Sequence, residues 1–369
     1  MIDFYLNNPD NRLRNNLTNN ILLQNDSLDY HKSLKGYLPA TLYKLSSLSK
    51  KLNIRELYVK DESNRFGLNA FKGLGASYAI HKQLIIDPNI STFCTATDGN
   101  HGRAVAWSAA RNNKKSVIYV PKQTTRDRIN AIAGHGAEVI QLDLDYEETC
   151  RYALEMSNKM NWKLLQDASW DGYEEIPAYI MSGYLTHLIE MQDSINVVDT
   201  PNIDIVFLQA GVGSWPASCI WYYINRYKMN KPKIVLVEPE NSSGILQSLS
   251  SGKRITPTGS FDTIMAGLNC GIPSKNGWNI IKNGCDASLT ISDEYAKKSM
   301  RTLFYPINDD KKIISGESGA AGLGGLLKLI EDDKYREFRE HISLNSKSRV
   351  LVFNTEGDTD KKSFNSIIN

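Results

Sequence analysis

Lys72 stands in Asn69-Ala70-Phe71-Lys72-Gly73-Leu74-Gly75, after the short apolar run Leu57–Lys60 and before an apolar-periodic segment from Gly73 to Leu84. A flat ligand can closely approach a lysine at a strand-to-helix junction with small residues behind it. Its amine becomes a useful nucleophile when desolvation and neighbours lower its pKa. The competing description is a solvated lysine at a helix start, the commoner fate of this residue type. A second stretch, Asp98-Gly99-Asn100-His101-Gly102-Arg103, sets an amide and an imidazole between glycines at a helix start. Asn100 can donate to a phenolate or carbonyl oxygen, and the helix N-terminus favours anions. Asp98 is a candidate proton carrier, or simply the N-cap of that helix. A third stretch, Gly211-Val212-Gly213-Ser214, can cradle a phosphate on backbone N–H groups, although a plain tight turn explains a lone G-x-G as well. Asp167 opens a loop rich in carboxylates and aromatics (Gln166 to Pro177) that suits a small cation, or else an acidic, capped helix start with Trp170 and Tyr173 packed beneath it. Thr355, in Asn354-Thr355-Glu356-Gly357, can face a ring nitrogen with its hydroxyl; turn chemistry is the alternative. Thr263 to Gly271 is mixed apolar and small, suited to covering a site, with Met265 in the core.

These residues need elements to hold them. Short apolar runs at Glu56–Lys60, Thr92–Thr97, Ser116–Pro121, Glu138–Leu142, Lys163–Asp167, Ile205–Ala210, Lys233–Glu238, Ser288–Ser292 and Arg349–Asn354 predict strands. Amphipathic segments between them predict helices over His101–Asn113, Thr125–Gly134, Tyr146–Met160, Glu175–Met191, Trp215–Tyr227, Glu294–Leu303 and Ser318–Ile330. Residues 1–36 read as an irregular or helical arm, and Thr41 to Leu52 has helical periodicity. Alternation of this kind means α/β architecture with buried parallel strands. Ligands in such sheets bind beyond the carboxyl ends of strands, where the unusual stretches fall.

Composition narrows the function. The chain has 369 residues, enough for two domains, with 41% hydrophobic and 23% charged residues, as in ordinary globular proteins. A net charge of +2 implies no large field for nucleic acid or anionic membrane. Five cysteines without CxxC spacing argue against a zinc ribbon or redox motif and suit a reducing cytoplasm; no metal site is expected. The Asn-rich start has no secretory pattern, and no apolar run approaches a membrane span. Neither GxGxxG nor GxxxxGK[ST] occurs, which counts against dinucleotides and nucleoside triphosphates.

Taken together, the motifs resemble the fold-type II pyridoxal-phosphate enzymes, the group of serine and threonine dehydratases and cysteine synthases. Within that group they resemble the diaminopropionate ammonia-lyase family. The resemblance rests on Lys60-Asp61-Glu62-Ser63-x-Arg65-Phe66-Gly67-Leu68-Asn69-Ala70-Phe71-Lys72, Thr97 to Arg103, Gln166-Asp167-x-x-Trp170-x-Gly172-Tyr173, Gln209 to Gly213, Thr263 to Gly271, Ser315 to Ala320 and Thr355 to Asp360. It spans residues 37–360. It implies two open, twisted, mostly parallel sheets flanked by helices. Residues 1–69 and 166–369 would form the larger, cofactor-binding domain and 70–165 the smaller, with the site in the cleft. It implies pyridoxal 5'-phosphate bound covalently to Lys72 next to Phe71, with its phenolic oxygen on Asn100. Its phosphate would lie on Gly211, Val212, Gly213 and Ser214, and its ring nitrogen near Thr355. It further implies Lys72 and Asp98 as acid/bases on opposite faces of an L- and a D-substrate, with Asp167 reading an amino group. The reaction implied is α,β-elimination of 2,3-diaminopropionate to pyruvate and ammonia, in a homodimer.

Two residues after Gly213 comes Trp215, where small residues would be expected. The nearest rival is a dehydratase-like elimination of serine, threonine or another β-substituted alanine. A pure binding protein would need neither Lys72 nor Asp98 as a base. A nicotinamide oxidoreductase is disfavoured by the missing third glycine.

Overall fold

Where five or six apolar residues run together, the chain forms strands buried on both faces. A computed structural model of the protein describes residues 2–97, 99–195 and 202–369. Its strands are β1 (Phe4–Leu6), β2 (Thr41–Lys44), β3 (Glu56–Asp61), β4 (Thr92–Ala96), β5 (Lys115–Val120), β6 (Glu138–Gln141), β7 (Lys163–Leu164), β8 (Ile205–Gln209), β9 (Lys233–Pro239), β10 (Ala287–Ile291) and β11 (Arg349–Asn354). They form a seven-stranded sheet in the order β1-β10-β9-β8-β11-β3-β2 and a four-stranded sheet in the order β6-β5-β4-β7. The small sheet is wholly parallel. In the large sheet only the edge strands β1 and β2 run antiparallel to their neighbours. Helices flank both sheets, so this is the α/β fold with two mainly parallel sheets. The small sheet draws its strands from residues 92–164 and the large sheet from either side of that stretch.

Three segments differ from expectation. Thr41–Lys44 is a half-exposed edge strand, and the helix of this region covers only Ser46–Lys51. The β-favouring residues Thr41, Leu42 and Tyr43 pair with β3 in register Thr41↔Asp61, and that edge outweighs the apolar spacing that imitates a helix. Residues 1–36 hold a strand as well as two short helices, Leu17–Leu22 and Ser27–Ser33. β1 is fastened by Asp3, which accepts from the buried Lys328 at 2.6 Å and from the Tyr335 hydroxyl. The predicted strand Lys163–Asp167 keeps the ladder only through Leu164, because Gln166 turns its side chain onto Thr95 (2.7 Å) and the Ala96 amide (3.1 Å).

Two packing features place the helix that begins behind Lys72. The Gly73–Ile86 helix crosses the Glu175–Ile195 helix at Gly75 and Gly183. A Cβ on Gly183 would lie 2.9 Å from the Gly75 Cα, and one on Gly75 would lie 2.6 Å from the Tyr184 ring and 2.7 Å from Ile180. Beside this crossing, Lys60, Glu62, Arg65 and Glu190 form a buried charge network. Glu190 accepts from Arg65 twice at 2.8 Å, from Lys60 at 3.0 Å and from the Tyr37 hydroxyl at 2.6 Å. Glu62 accepts from Arg65 at 2.8 and 2.9 Å. The two negative and two positive charges satisfy one another inside the protein, as burial requires.

Candidate active site

The carboxyl ends of strands from both sheets converge on one cavity. Phe71 and Lys72, Thr97, Gly99 and Asn100, Asp167, Gly211 to Pro216 and Thr355 with Glu356 all line it. Lys72 is the residue before the Gly73–Ile86 helix. Its Nζ donates to Asp167 Oδ2 at 2.6 Å and lies 5.4 Å from the centre of the Phe71 ring. Burial by itself would lower the Lys72 pKa, but the Asp167 carboxylate outweighs it and raises the value above that of an ordinary lysine. The expectation of a depressed lysine pKa is therefore reversed. Asp167 shows the counterpart: burial raises its pKa, but the nearby Lys72 charge brings it down to about 2. His101 stands behind this pair, with Nε2 2.7 Å from the Leu165 carbonyl oxygen and Nδ1 3.9 Å from Asp167. Burial lowers its pKa and so disfavours the charged imidazolium.

The glycine loop opens the Ser214–Tyr227 helix with no side-chain cap on its first amides. Gly213, at φ 94°, makes the left-handed turn that aims the chain into the helix, and Pro216 occupies the first turn, where its missing N–H costs nothing. Uncapped amides at such a terminus form a seat for a doubly charged anion. The Ser214 hydroxyl is directed elsewhere: it donates to the Asp167 carbonyl oxygen at 2.6 Å and ties the two loops together. Trp215 does not crowd the glycine loop. Its indole packs against Phe71 and Phe353, at 5.5 and 5.2 Å between ring centres, and donates to His187 at 3.2 Å.

Asn100 begins the Asn100–Arg111 helix and donates to Glu356 Oε2 at 2.5 Å. Glu356 also accepts from the Ser318 amide at 3.0 Å. The Thr355 hydroxyl accepts from Gln209 Nε2 at 2.9 Å, which leaves its proton to point at an acceptor. Gln209 is buried, and its Oε1 has no hydrogen-bond partner among the described residues. Asp98 lies outside the described residues. Trp170 and Tyr173 follow the structural alternative. Their rings stack at 4.4 Å, and the Tyr173 hydroxyl accepts from the Gln166 amide and donates to the Leu164 carbonyl oxygen, leaving Asp167 as the loop's contribution to the cavity. Ala266, Gly267, Leu268 and Cys270 line the cavity, while Met265 is buried in the core. None of the five cysteines, Cys270 and Cys285 included, is in a disulfide.

Glu356, Gln209, Arg128 and Tyr146 also line the cavity and were not singled out as site residues. Glu356 and Gln209 sit inside recognised motifs, and a carboxylate or amide next to a strand end was the available signal. Arg128 and Tyr146 lie in ordinary helical segments whose side-chain direction only the fold reveals.

The arrangement fits pyridoxal phosphate. It combines a lysine, aromatic walls, an uncapped helix N-terminus, and a hydroxyl and an amide at the cavity rim. Residues 34–347 match the pyridoxal-phosphate-dependent enzyme family. Over 365 residues the sequence is 39% identical to the diaminopropionate ammonia-lyase of Salmonella typhimurium, covering 92% of this chain and 90% of that one. The chain belongs to the diaminopropionate ammonia-lyase family of pyridoxal-phosphate-dependent enzymes. A second member, from Escherichia coli, is 36% identical over 382 residues, covering 97% of this chain and 95% of the relative. The crystal structure of the Escherichia coli enzyme, in complex with an aminoacrylate–pyridoxal phosphate azomethine intermediate, superposes with a TM-score of 0.90 at 34% identity. It covers 99% of this chain and 96% of its own.

Proposed function

We propose that this protein eliminates ammonia from D- or L-2,3-diaminopropionate, yielding pyruvate and a second ammonia, with pyridoxal 5'-phosphate as cofactor. The observation that carries the reading is the Lys72–Asp167 pair at 2.6 Å, a half-buried lysine on a buried carboxylate, facing the uncapped glycine loop across one cavity. Bound pyridoxal phosphate supplies an electron sink for negative charge developing at the substrate Cα.

The chain's own residues supply the rest. Lys72 holds the cofactor through its amine and, once displaced by substrate, takes the Cα proton of the L-isomer. Asp98 takes that proton from the opposite face of the D-isomer. Asp167, relieved of the Lys72 ammonium, is a carboxylate that can hold the β-ammonium until it leaves. Asn100 and Thr355 orient the ring, with Phe71 beside it, and Gly211, Val212, Gly213 and Ser214 seat the phosphate. We assign residues 1–69 and 166–369 to a large domain and 70–165 to a small one, in a cytoplasmic homodimer. Thiols outside disulfides suit that compartment, and sedimentation would check the dimer.

The test is the visible spectrum of the purified protein before and after addition of each isomer, with pyruvate followed in the same cuvette. A yellow protein whose band shifts as pyruvate appears supports the reading. A yellow protein that answers only to serine or threonine transfers the function to a dehydratase. Lys72→Ala should remove the lysine-linked band and slow turnover by at least about a thousandfold.

A further inference from the structure

Asn100 is assigned above to the cofactor ring, where its partner is the phenolic oxygen, and the inference that follows rests on that reading. A side-chain amide has two unlike ends. Nδ2 carries two N–H groups and only donates, whereas Oδ1 only accepts. A phenolic oxygen that has lost its proton is stabilised by the nitrogen end and repelled by the oxygen end. Some neighbour must therefore hold the amide the right way round.

Glu356 is placed to do this. It follows β11 of the large sheet, Asn100 opens the helix after β4 of the small sheet, and both line the cavity. Asn100 Nδ2 donates to Glu356 Oε2 at 2.5 Å, and the Ser318 amide donates to Oε1 at 3.0 Å. A carboxylate offers Asn100 acceptors alone, so the nitrogen end must turn towards it. One N–H of Nδ2 is spent there, and the other has no partner among the described residues and is left for a ligand. The carboxyl group is itself held in place. Glu356 is buried, its carbonyl oxygen accepts from the Gly316 amide at 3.0 Å, and its backbone pairs with Ala70, two residues before Lys72. A Cβ on Gly316 would lie 3.1 Å from both Cγ and Oε1 of Glu356, so that glycine leaves the room this side chain fills.

We propose that Glu356 is a positioning residue that fixes the Asn100 amide with its nitrogen end towards the phenolic oxygen of the cofactor. The test compares E356Q, E356A, N100A and the double variant E356Q/N100A with the parent enzyme. It measures the dissociation constant of pyridoxal phosphate by reconstitution and the visible band of each holoenzyme, whose long-wavelength part reports an ionised phenolic oxygen. The E356Q side chain keeps its size, and its oxygen must take the Ser318 N–H. Its nitrogen then faces Asn100 and turns that amide over. E356Q should weaken cofactor binding roughly 10- to 100-fold, the effect of losing a hydrogen bond to a charged group, and move absorbance to the short-wavelength part of the band. E356A, which leaves the amide free to turn either way, should do less on both counts. In the N100A background, E356Q should add no more than about twofold.

A merely structural role predicts the opposite order, with truncation worse than the isosteric change and effects that add. Either result overturns the proposal, as does an unchanged band in E356Q. If N100A leaves both the band and the dissociation constant as in the parent, Asn100 is not on the phenolic oxygen, and that reading falls together with the proposal. If N100A changes them and E356Q does not, the proposal alone falls. If E356A does not accumulate folded, E356Q and the double variant carry the comparison.

Discussion

At the scale of single residues, the proposed attachment of the cofactor at Lys72 puts the Lys72–Asp167 pair in control of when it can form. Attachment needs the neutral amine, and Asp167 holds the lysine protonated by raising its pKa. Across neutral and alkaline pH the neutral fraction therefore grows about tenfold per pH unit. The rate of reconstitution of the stripped enzyme with pyridoxal phosphate should rise in parallel. Asp167→Asn removes the charge that raises the lysine and leaves the burial that lowers it, so the whole profile should move to lower pH. Stopped-flow absorbance over a pH series checks this; a profile that stays in place would mean the pair does not govern attachment. Turnover of the same variant should fall, because the group proposed to hold the β-ammonium has lost its charge.

At the scale of elements, two electrostatic fastenings hold the frame. Glu190 on the Glu175–Ile195 helix joins β3, the Arg65 turn and residues 37–40 through five hydrogen bonds. Glu190→Gln leaves Lys60 and Arg65 buried with too little counter-charge and should cost about 3–5 kcal/mol, read from the urea midpoint. The other fastening is Asp3, whose pKa is brought down to about 2 because its bonds to Lys328 and Tyr335 outweigh partial burial. A lowered carboxylate pKa stabilises the fold above the unfolded value of 3.8, and that contribution is lost as pH falls towards 2. The melting temperature of the parent protein should therefore drop more steeply below pH 4 than that of Asp3→Asn. Neither fastening was visible in the sequence, because each joins residues more than a hundred positions apart. The parallel strands were legible because continuous runs such as Ile205–Gln209 allow little else. The edge strand Thr41–Lys44 was not, because Leu42 also fits a helical period with Leu45, Leu48 and Leu52, and pairing with β3 decided between the two. Lys72, Asn100, Asp167 and the glycine loop were legible because their motifs carry chemistry at strand ends. Arg128 was hidden because an arginine in a helix signals nothing until its neighbours are known.

At the scale of the whole molecule, the cavity draws its walls from both sheets, and a cofactor held there binds the folded protein and not the unfolded chain. Saturating pyridoxal phosphate at a hundred times its dissociation constant should stabilise the fold by about 2.7 kcal/mol. Calorimetry of stripped and reconstituted enzyme should show one transition moving upward with cofactor concentration; a melting temperature indifferent to cofactor would mean the site does not join the two sheets. The crossing at Gly75 and Gly183 has a consequence for which substitutions the chain can survive. No substrate reaches either position, yet a single methyl group there would push apart the helix behind Lys72 and the one against which it rests. In a library of random replacements selected for turnover, these two inconspicuous glycines should accept almost nothing, while exposed Met229 and Leu38 should accept nearly anything.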